Sequence, residues 1–236
     1  MAFAILIRGH NYLEKDRFGY PMDAADNINN IIDNIIIPIR EKYPDSKVYL
    51  STYHSPSLRK IINSIGECEL IENNPSNSTQ ISTYLRGLEH IDKINSTYSS
   101  IIALRFDLLF LKKFIDWGVD CDEDVVYFNW KEYRYNWNDH RRVGDAIHII
   151  GKNCLSHFYN SLQMCTLAGR KDLHMMYYFM RTVWPYLEFI QEGYWDSNSL
   201  WNTNESDNPM YKIFNRPKLN LMPDYYGKII QEIKAE

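Results

Sequence analysis

An apolar run, Ile101 to Leu104, ends in Arg105, Phe106 and Asp107 and continues as Leu108, Leu109 and Phe110. A strand of this kind delivers Arg105 and Asp107 to the same face at its carboxyl end, because side chains alternate along it. A carboxylate there can hold a divalent cation that bridges a diphosphate. Mg²⁺ and Mn²⁺ take oxygen ligands and often use only one or two protein carboxylates, with phosphate and water completing the shell. Arg105 can pair with a phosphate or hold Asp107 in place. Equally, the two side chains can form an ion pair that merely closes the strand. A second carboxylate, Asp145, follows Gly144 and opens another strand-like segment, DAIHII, after a loop rich in aromatic and charged residues. Alternation puts His148 on the opposite face from Asp145, where a structural role is the simpler expectation.

These groups need elements to hold them. Residues 3–8 (FAILIR) form an apolar run closed by Gly9 and read as a buried first strand. A long polar loop is expected from His10 to Asp23. From Ala24 to Tyr43, Ile28, Ile31, Ile32, Ile35, Ile36 and Ile39 recur at helical spacing, with Pro38 weakening the last turns. Strands are predicted over 48–53 (VYLSTY), 69–72 (ELIE) and 99–106, with a short helix over 55–64 capped by Ser55 and started by Pro56. Gln80 to Ile94 reads as a helix with Ile81, Tyr84, Leu85, Leu88 and Ile91 on its apolar side. Alternating strands and helices predict an α/β fold with a central, mostly parallel sheet flanked by helices. Ligands of such sheets lie outside the carboxyl ends of the strands.

The second half is less regular: strands over 124–129 and 145–150, a loop over 130–142, helices over 153–166 and 171–190, and a tail from Glu192 with little periodicity. No repeat or linker divides the chain. One domain over 1–236 is expected, with residues 1–110 as a nucleotide-binding half and 111–236 as an acceptor half.

Composition narrows the classes. A formal charge of −4 gives no net pull toward nucleic acid or anionic membrane. The four cysteines (Cys68, Cys121, Cys154, Cys165) show no zinc spacing and read as reduced, mostly buried thiols. No apolar run reaches the length of a signal peptide or a membrane span, so a soluble, cytoplasmic chain is expected. The Asn77, Asn95 and Asn204 glycosylation patterns are then accidental. Rings are plentiful, with 18 Tyr and 6 Trp. Trp130, Tyr133, Tyr135 and Trp137 can form a sugar-stacking platform or a hydrophobic lid over the core.

Arg105-Phe-Asp-Leu-Leu-Phe resembles the Arg-x-Asp-x-x-Phe segment of bacterial capsule and lipopolysaccharide glycosyltransferases and of related enzymes from large DNA viruses. ILIRGH (5–10) is similar to their first strand and Gly turn, VYLSTYHS (48–55) to their second strand, and Gln80 to Leu88, with Arg86-Gly-Leu, to the helix before the Arg-x-Asp strand. The match spans roughly residues 3–150. It implies a GT-A fold and a glycosyltransferase acting in polysaccharide biosynthesis, with a UDP-, dTDP- or GDP-linked sugar as donor, a divalent cation (Mn²⁺ or Mg²⁺) on the diphosphate through Asp107, and a glycan or glycoprotein acceptor. The family's metal motif is often Asp-x-Asp, and Arg105 stands at the first acidic position, where it can itself take over part of the cation's task.

By the same resemblance, Arg8, Gly9 and His10 at the end of the first strand fall where base and phosphates lie. Thr52, Tyr53 and His54 end the second strand, with Tyr53 placed to stack on the base, and Arg86 is a candidate phosphate contact. Inverting transfer requires a carboxylate to take the acceptor hydroxyl's proton. Asp145 is the first candidate, ahead of Glu188, Glu192 and Asp196. His174, inside the helix expected over 171–190, is either a site residue or simply packed. Two other classes stay open: a noncatalytic nucleotide- or carbohydrate-binding domain, and another α/β enzyme such as a nucleotidyl- or methyltransferase. The missing Gly-x-Gly-x-x-Gly turn and P-loop argue against Rossmann cofactors and ATPase chemistry.

Overall fold

A computed structural model of the chain describes residues 1–16, 18–94, 97–132, 137–195 and 209–215. Its strands are β1 (Phe3–Arg8), β2 (Tyr12–Leu13), β3 (Met22–Asp23), β4 (Lys47–Tyr53), β5 (Glu69–Asn73), β6 (Ser100–Arg105), β7 (Leu108–Phe110), β8 (Val126–Phe128), β9 (Lys131–Glu132), β10 (Ile147–Gly151), β11 (Leu187–Phe189), β12 (Tyr194–Trp195) and β13 (Tyr211–Ile213). The α-helices are α1 (Ile28–Ile31), α2 (Ile37–Lys42), α3 (Leu58–Ile65), α4 (Gln80–Ile94), α5 (Trp137–His140), α6 (Leu155–Leu167) and α7 (Met176–Met180).

Seven strands make the central sheet in the order β11-β8-β10-β6-β1-β4-β5. All pair in parallel except β10, which runs antiparallel to both β6 and β8. The expectation of a mostly parallel sheet flanked by helices therefore holds, with one reversed strand that its apolar run did not announce. β1 is buried along its whole length because both faces are covered. Phe3, Ile5 and Ile7 pack into one cluster with Ile28, Ile31, Ile35 and Ile61. Ala4 and Leu6 pack into the other, with Tyr84, Leu88, Phe158 and Leu162 of α4 and α6. Arg8 shares the face of Ala4 and Leu6, and its guanidinium lies over the Tyr84 ring, 4.2 Å from the centroid.

Several elements differ from the sequence reading. The predicted loop over His10–Asp23 carries a small hairpin, β2 against β3. The helix expected over 24–43 is a 3₁₀ turn, α1, a π segment at Ile32–Ile36 and α2. Pro38 lacks an N–H and its ring crowds the carbonyl of Asn34, so the wider π turn just ahead of it relieves the clash. α3 starts at Leu58, with Ser57 rather than Ser55 at its N-cap position; the Ser57 hydroxyl donates to Asp23 Oδ2 at 2.7 Å. The single helix expected over 171–190 is instead α7 and then β11, with Pro185 between them.

Candidate active site

A cleft of about 380 Å³ opens at the carboxyl ends of β1, β4 and β6 and is lined by Arg8, His10, Tyr53, Arg105, Asp107 and Asp145 among others. Arg105 and Asp107 meet there because β6 ends at Arg105 and a two-residue turn leads into β7. β7 in turn is held by β13. Asp145 arrives from the stretch before β10, which pairs with β6.

Arg105 is the hub. Its Nε donates to Asp107 Oδ1 at 2.8 Å, its Nη2 to Asp107 Oδ2, and its Nη1 to Asp145 Oδ1 at 3.0 Å. Burial works against the guanidinium's charge, but Asp107 and Asp145 outweigh it and raise the pKa. Asp145 is gripped from every side: Gln80 Nε2 donates to Oδ2 at 2.8 Å, Arg8 Nη2 donates to the backbone oxygen at 2.6 Å, and His174 Nε2 lies 3.9 Å from Oδ2. Burial alone would raise its pKa; Arg105 first, then His174, Gln80 and Arg8, hold it well below the usual carboxylate range. A carboxylate so engaged accepts a proton poorly. In this arrangement Asp145 is an ion-pair partner of Arg105, and both of its carboxylate oxygens already accept hydrogen bonds.

Behind this pair runs a second set of charges. His174 Nδ1 lies 3.0 Å from both Glu132 Oε2 and the Val143 carbonyl oxygen, and Arg142 Nε lies 3.2 Å from Glu132 Oε2. Burial lowers the His174 pKa, but Glu132 and then Asp145 overcome it and push it up to about 9. His174 is therefore a cation at neutral pH. Gln80, Glu132, Arg142 and His174 come from separate parts of the chain, and no local motif singles out Glu132 or Arg142.

The other expected residues divide. Gly9 lines the cleft with φ +97, a conformation open to glycine and strained for L side chains. His10 stacks on Tyr53, ring centroids 4.7 Å apart, so the base-binding edge expected at Tyr53 is a two-ring surface. Thr52 is buried and donates to the Gly9 carbonyl at 2.7 Å; it supports the turn and does not line the cleft. Arg86 is exposed and does not line the cleft, because the helical phase that turns Gln80 and Thr83 of α4 inward turns it to solvent. Glu188 and Glu192 are also exposed and do not line the cleft, while Asp196, Tyr133 and Tyr135 lie outside the described residues.

Trp130 is buried against Tyr211 at a 4.8 Å centroid distance, and Trp137 is buried among Tyr177, Phe189 and Tyr194. Both belong to the core and not to an open platform. His148 is fully buried among Tyr84, Phe128 and Phe158, and neither ring nitrogen has a hydrogen-bond partner among the described residues, so it is packed but not the satisfied structural histidine expected. Burial, and then repulsion from Arg8, lowers its pKa to about 3, so it is neutral.

Gly144 sits where Asn129 needs room: a Cβ there would meet the Asn129 amide at 2.2 to 2.6 Å. Asn129 is fully buried and donates to the Tyr211 hydroxyl at 2.9 Å. Gly144→Ala is expected to cost about 2 kcal/mol by overpacking, read as a lowered urea midpoint. An Asn129→Ala background should return most of that loss.

A divalent cation on Asp107 needs oxygen atoms free to turn toward it. Both Asp107 oxygens accept from Arg105, and those of Asp145 accept from Arg105 and Gln80. Among the described residues, no group of three or more His, Cys, Asp or Glu side chains is arranged to hold a metal. As arranged, Arg105 lies between the two aspartates, and its positive charge disfavours a cation at the same place. No helix among the described residues is long and apolar enough to cross a membrane.

No family model and no curated protein sequence matches the chain. Solved structures do. An active-site mutant of LgtC is similar at TM-score 0.53 and 11% identity, over 100% of this chain and 95% of that one. The galactosyltransferase LgtC in complex with donor and acceptor sugar analogs is similar at TM-score 0.50 and 12% identity, over 80% of this chain and 73% of that one. A nucleotidyl transferase from Methanothermobacter thermautotroptrophicus is similar at TM-score 0.52 and 12% identity, over 86% of this chain and 92% of that one. Such likeness shows the fold: the chain has a GT-A-like α/β architecture, which sugar and nucleotidyl transferases share.

Proposed function

We propose that the chain is a glycosyltransferase that moves a sugar from a nucleotide-diphosphate-sugar to a hydroxyl of a glycan acceptor. The observation that carries this reading is Arg105, clamped between Asp107 and Asp145 on the cleft wall at the carboxyl ends of the central strands. A fixed guanidinium there suits a diphosphate, because planar N–H donors match phosphate oxygens and need no reorganisation as charge develops. In the reaction the acceptor hydroxyl oxygen bonds to the anomeric carbon as that carbon's bond to the β-phosphate oxygen breaks, and the hydroxyl proton passes to the leaving diphosphate or to water. The nucleoside diphosphate leaves with the electron pair. Arg105 and Arg8 face the charge that grows on it.

The nucleotide base then lies on the His10–Tyr53 pair, whose aromatic faces suit stacking. Arg142, Asp172 and His174 line the cleft from the second half of the chain, and we assign them to the sugar and acceptor side. The LgtC complex with donor and acceptor sugar analogs shows that this fold can hold a sugar donor beside an acceptor, which is compatible with this reading.

The test is turnover. UDP-, dTDP- and GDP-linked sugars are incubated with the chain, and release of nucleoside diphosphate is followed with and without glycan acceptors. One donor class should be consumed, faster with an acceptor, and Arg105→Ala should slow it by about a hundredfold or more, the scale of losing one preorganised electrostatic group. Nucleotide binding without turnover of any donor would instead identify a noncatalytic binding domain.

A further inference from the structure

We propose that two guanidinium groups, Arg105 and Arg8, replace the divalent cation at this cleft, so that a diphosphate binds without metal. The inference rests on reading the cleft as a nucleotide-sugar site.

The two cations are neighbours by construction. The register of β1 on β6 sets Arg8 opposite Arg105, at the carboxyl ends of two adjacent central strands. Arg105 spends its bonds on Asp107 and Asp145, and Arg8 reaches the Asp145 backbone oxygen. The two carboxylates face two guanidiniums, with His174 3.9 Å from Asp145 Oδ2 as a further positive neighbour, so positive charge is already gathered where a metal would supply it.

The unmet hydrogen bonds point the same way. Arg8 is 1% exposed and lies against Tyr84, yet its Nε and Nη1 make no well-formed hydrogen bond among the described residues. A buried N–H without an acceptor is costly, and more so on a charged group. Arg8 borders the same cleft as Arg105, and phosphate oxygens are the acceptors that would satisfy it. Arg105 also keeps N–H groups beyond those given to the two aspartates, since a guanidinium carries five. A metal ion offers these donors nothing and repels them.

The test is calorimetric titration of UDP, dTDP and GDP into the chain, in EDTA and in excess Mn²⁺. The nucleotide that binds should do so with affinities within about twofold of each other in the two conditions. Arg105→Asp puts acidic residues on both sides of Phe106; it should lose about tenfold or more in EDTA and recover in Mn²⁺. Arg105→Lys keeps the charge without the fork, and should bind more weakly but still without metal. Should Arg105→Asp fail to fold, adding wild type to Mn²⁺ and nucleotide should leave the free-ion electron spin resonance signal no lower than in a protein-free control with the same nucleotide. Wild-type binding that appears only with Mn²⁺ would overturn this inference and leave the glycosyltransferase reading standing. No nucleotide binding in any condition would overturn both.

Discussion

Arg105→Ala is expected to destabilise the chain by about 3 kcal/mol at neutral pH, the scale of removing one partner from a buried ion cluster. The side chains of Asp107 and Asp145 are only 10% and 9% exposed, and both bind this one guanidinium. Its removal leaves two carboxylates to face each other out of water, where like charges disfavour ionisation. The pH dependence follows from Asp145. Its pKa is depressed in the folded chain, so it contributes stability above the ordinary aspartate range that is lost as pH falls toward the folded value. Arg105→Ala removes the main cause of that depression. The gap between wild type and variant should be widest at pH 7 and narrow on acidification. Urea denaturation at pH 7 and at about pH 2.5, inside the window below the ordinary aspartate pKa, measures both. A variant within about 0.5 kcal/mol of wild type at pH 7 would mean that the clamp contributes no more than an exposed pair.

Raising the pH should destabilise wild type through His174. The folded pKa is raised to about 9 from an ordinary 6.5, so the imidazolium contributes stability that is complete below 6.5 and is lost as pH rises through 9. A shift of that size corresponds to about 3 kcal/mol, as an order of magnitude for a coupled group. The groups facing His174 are Glu132 and Asp145, which favour its charge, and Arg142, which opposes it. Glu132→Gln keeps the shape and removes the first of these. It should start less stable at pH 6.5 and lose little more by pH 9, while wild type falls steadily across the same window. Proton NMR titration of the His174 ring should place its midpoint well above that of the exposed histidines in wild type, and lower in Glu132→Gln. Equal slopes in the two proteins would assign the alkaline loss to another group.

Long apolar runs made the first half legible. Phe3–Arg8 and Ser100–Arg105 are buried on both faces, and such strands read as continuous hydrophobic segments whatever their neighbours. α4 was legible because Ile81, Tyr84, Leu88 and Ile91 repeat at the helical period and are buried as that period requires. Direction is different: β10 is as apolar as its neighbours, so nothing in its residues distinguishes an antiparallel strand from a parallel one. The site divides in the same way. Arg8 and Arg105 stand at the carboxyl ends of apolar segments, where the rule for α/β sheets directs attention, whereas Asp145 precedes its strand and reaches the same edge only because β10 runs antiparallel. Glu132 and His174 meet only through tertiary packing, and Glu132 reads locally as one more charge in a polar loop. Arg86 was misplaced by helical phase alone. Trp130 could be read as a sugar platform or as a lid over the core, because a ring that can stack on a ligand is chemically the same as one that stacks on Tyr211.

The most direct measurement is a crystal structure of the chain grown with UDP, dTDP and GDP in turn. The account predicts one nucleotide in the cleft, its diphosphate within hydrogen-bond distance of Arg105 and Arg8 and its base against the His10–Tyr53 pair. A nucleotide bound elsewhere, or one whose phosphates avoid both arginines, would contradict it.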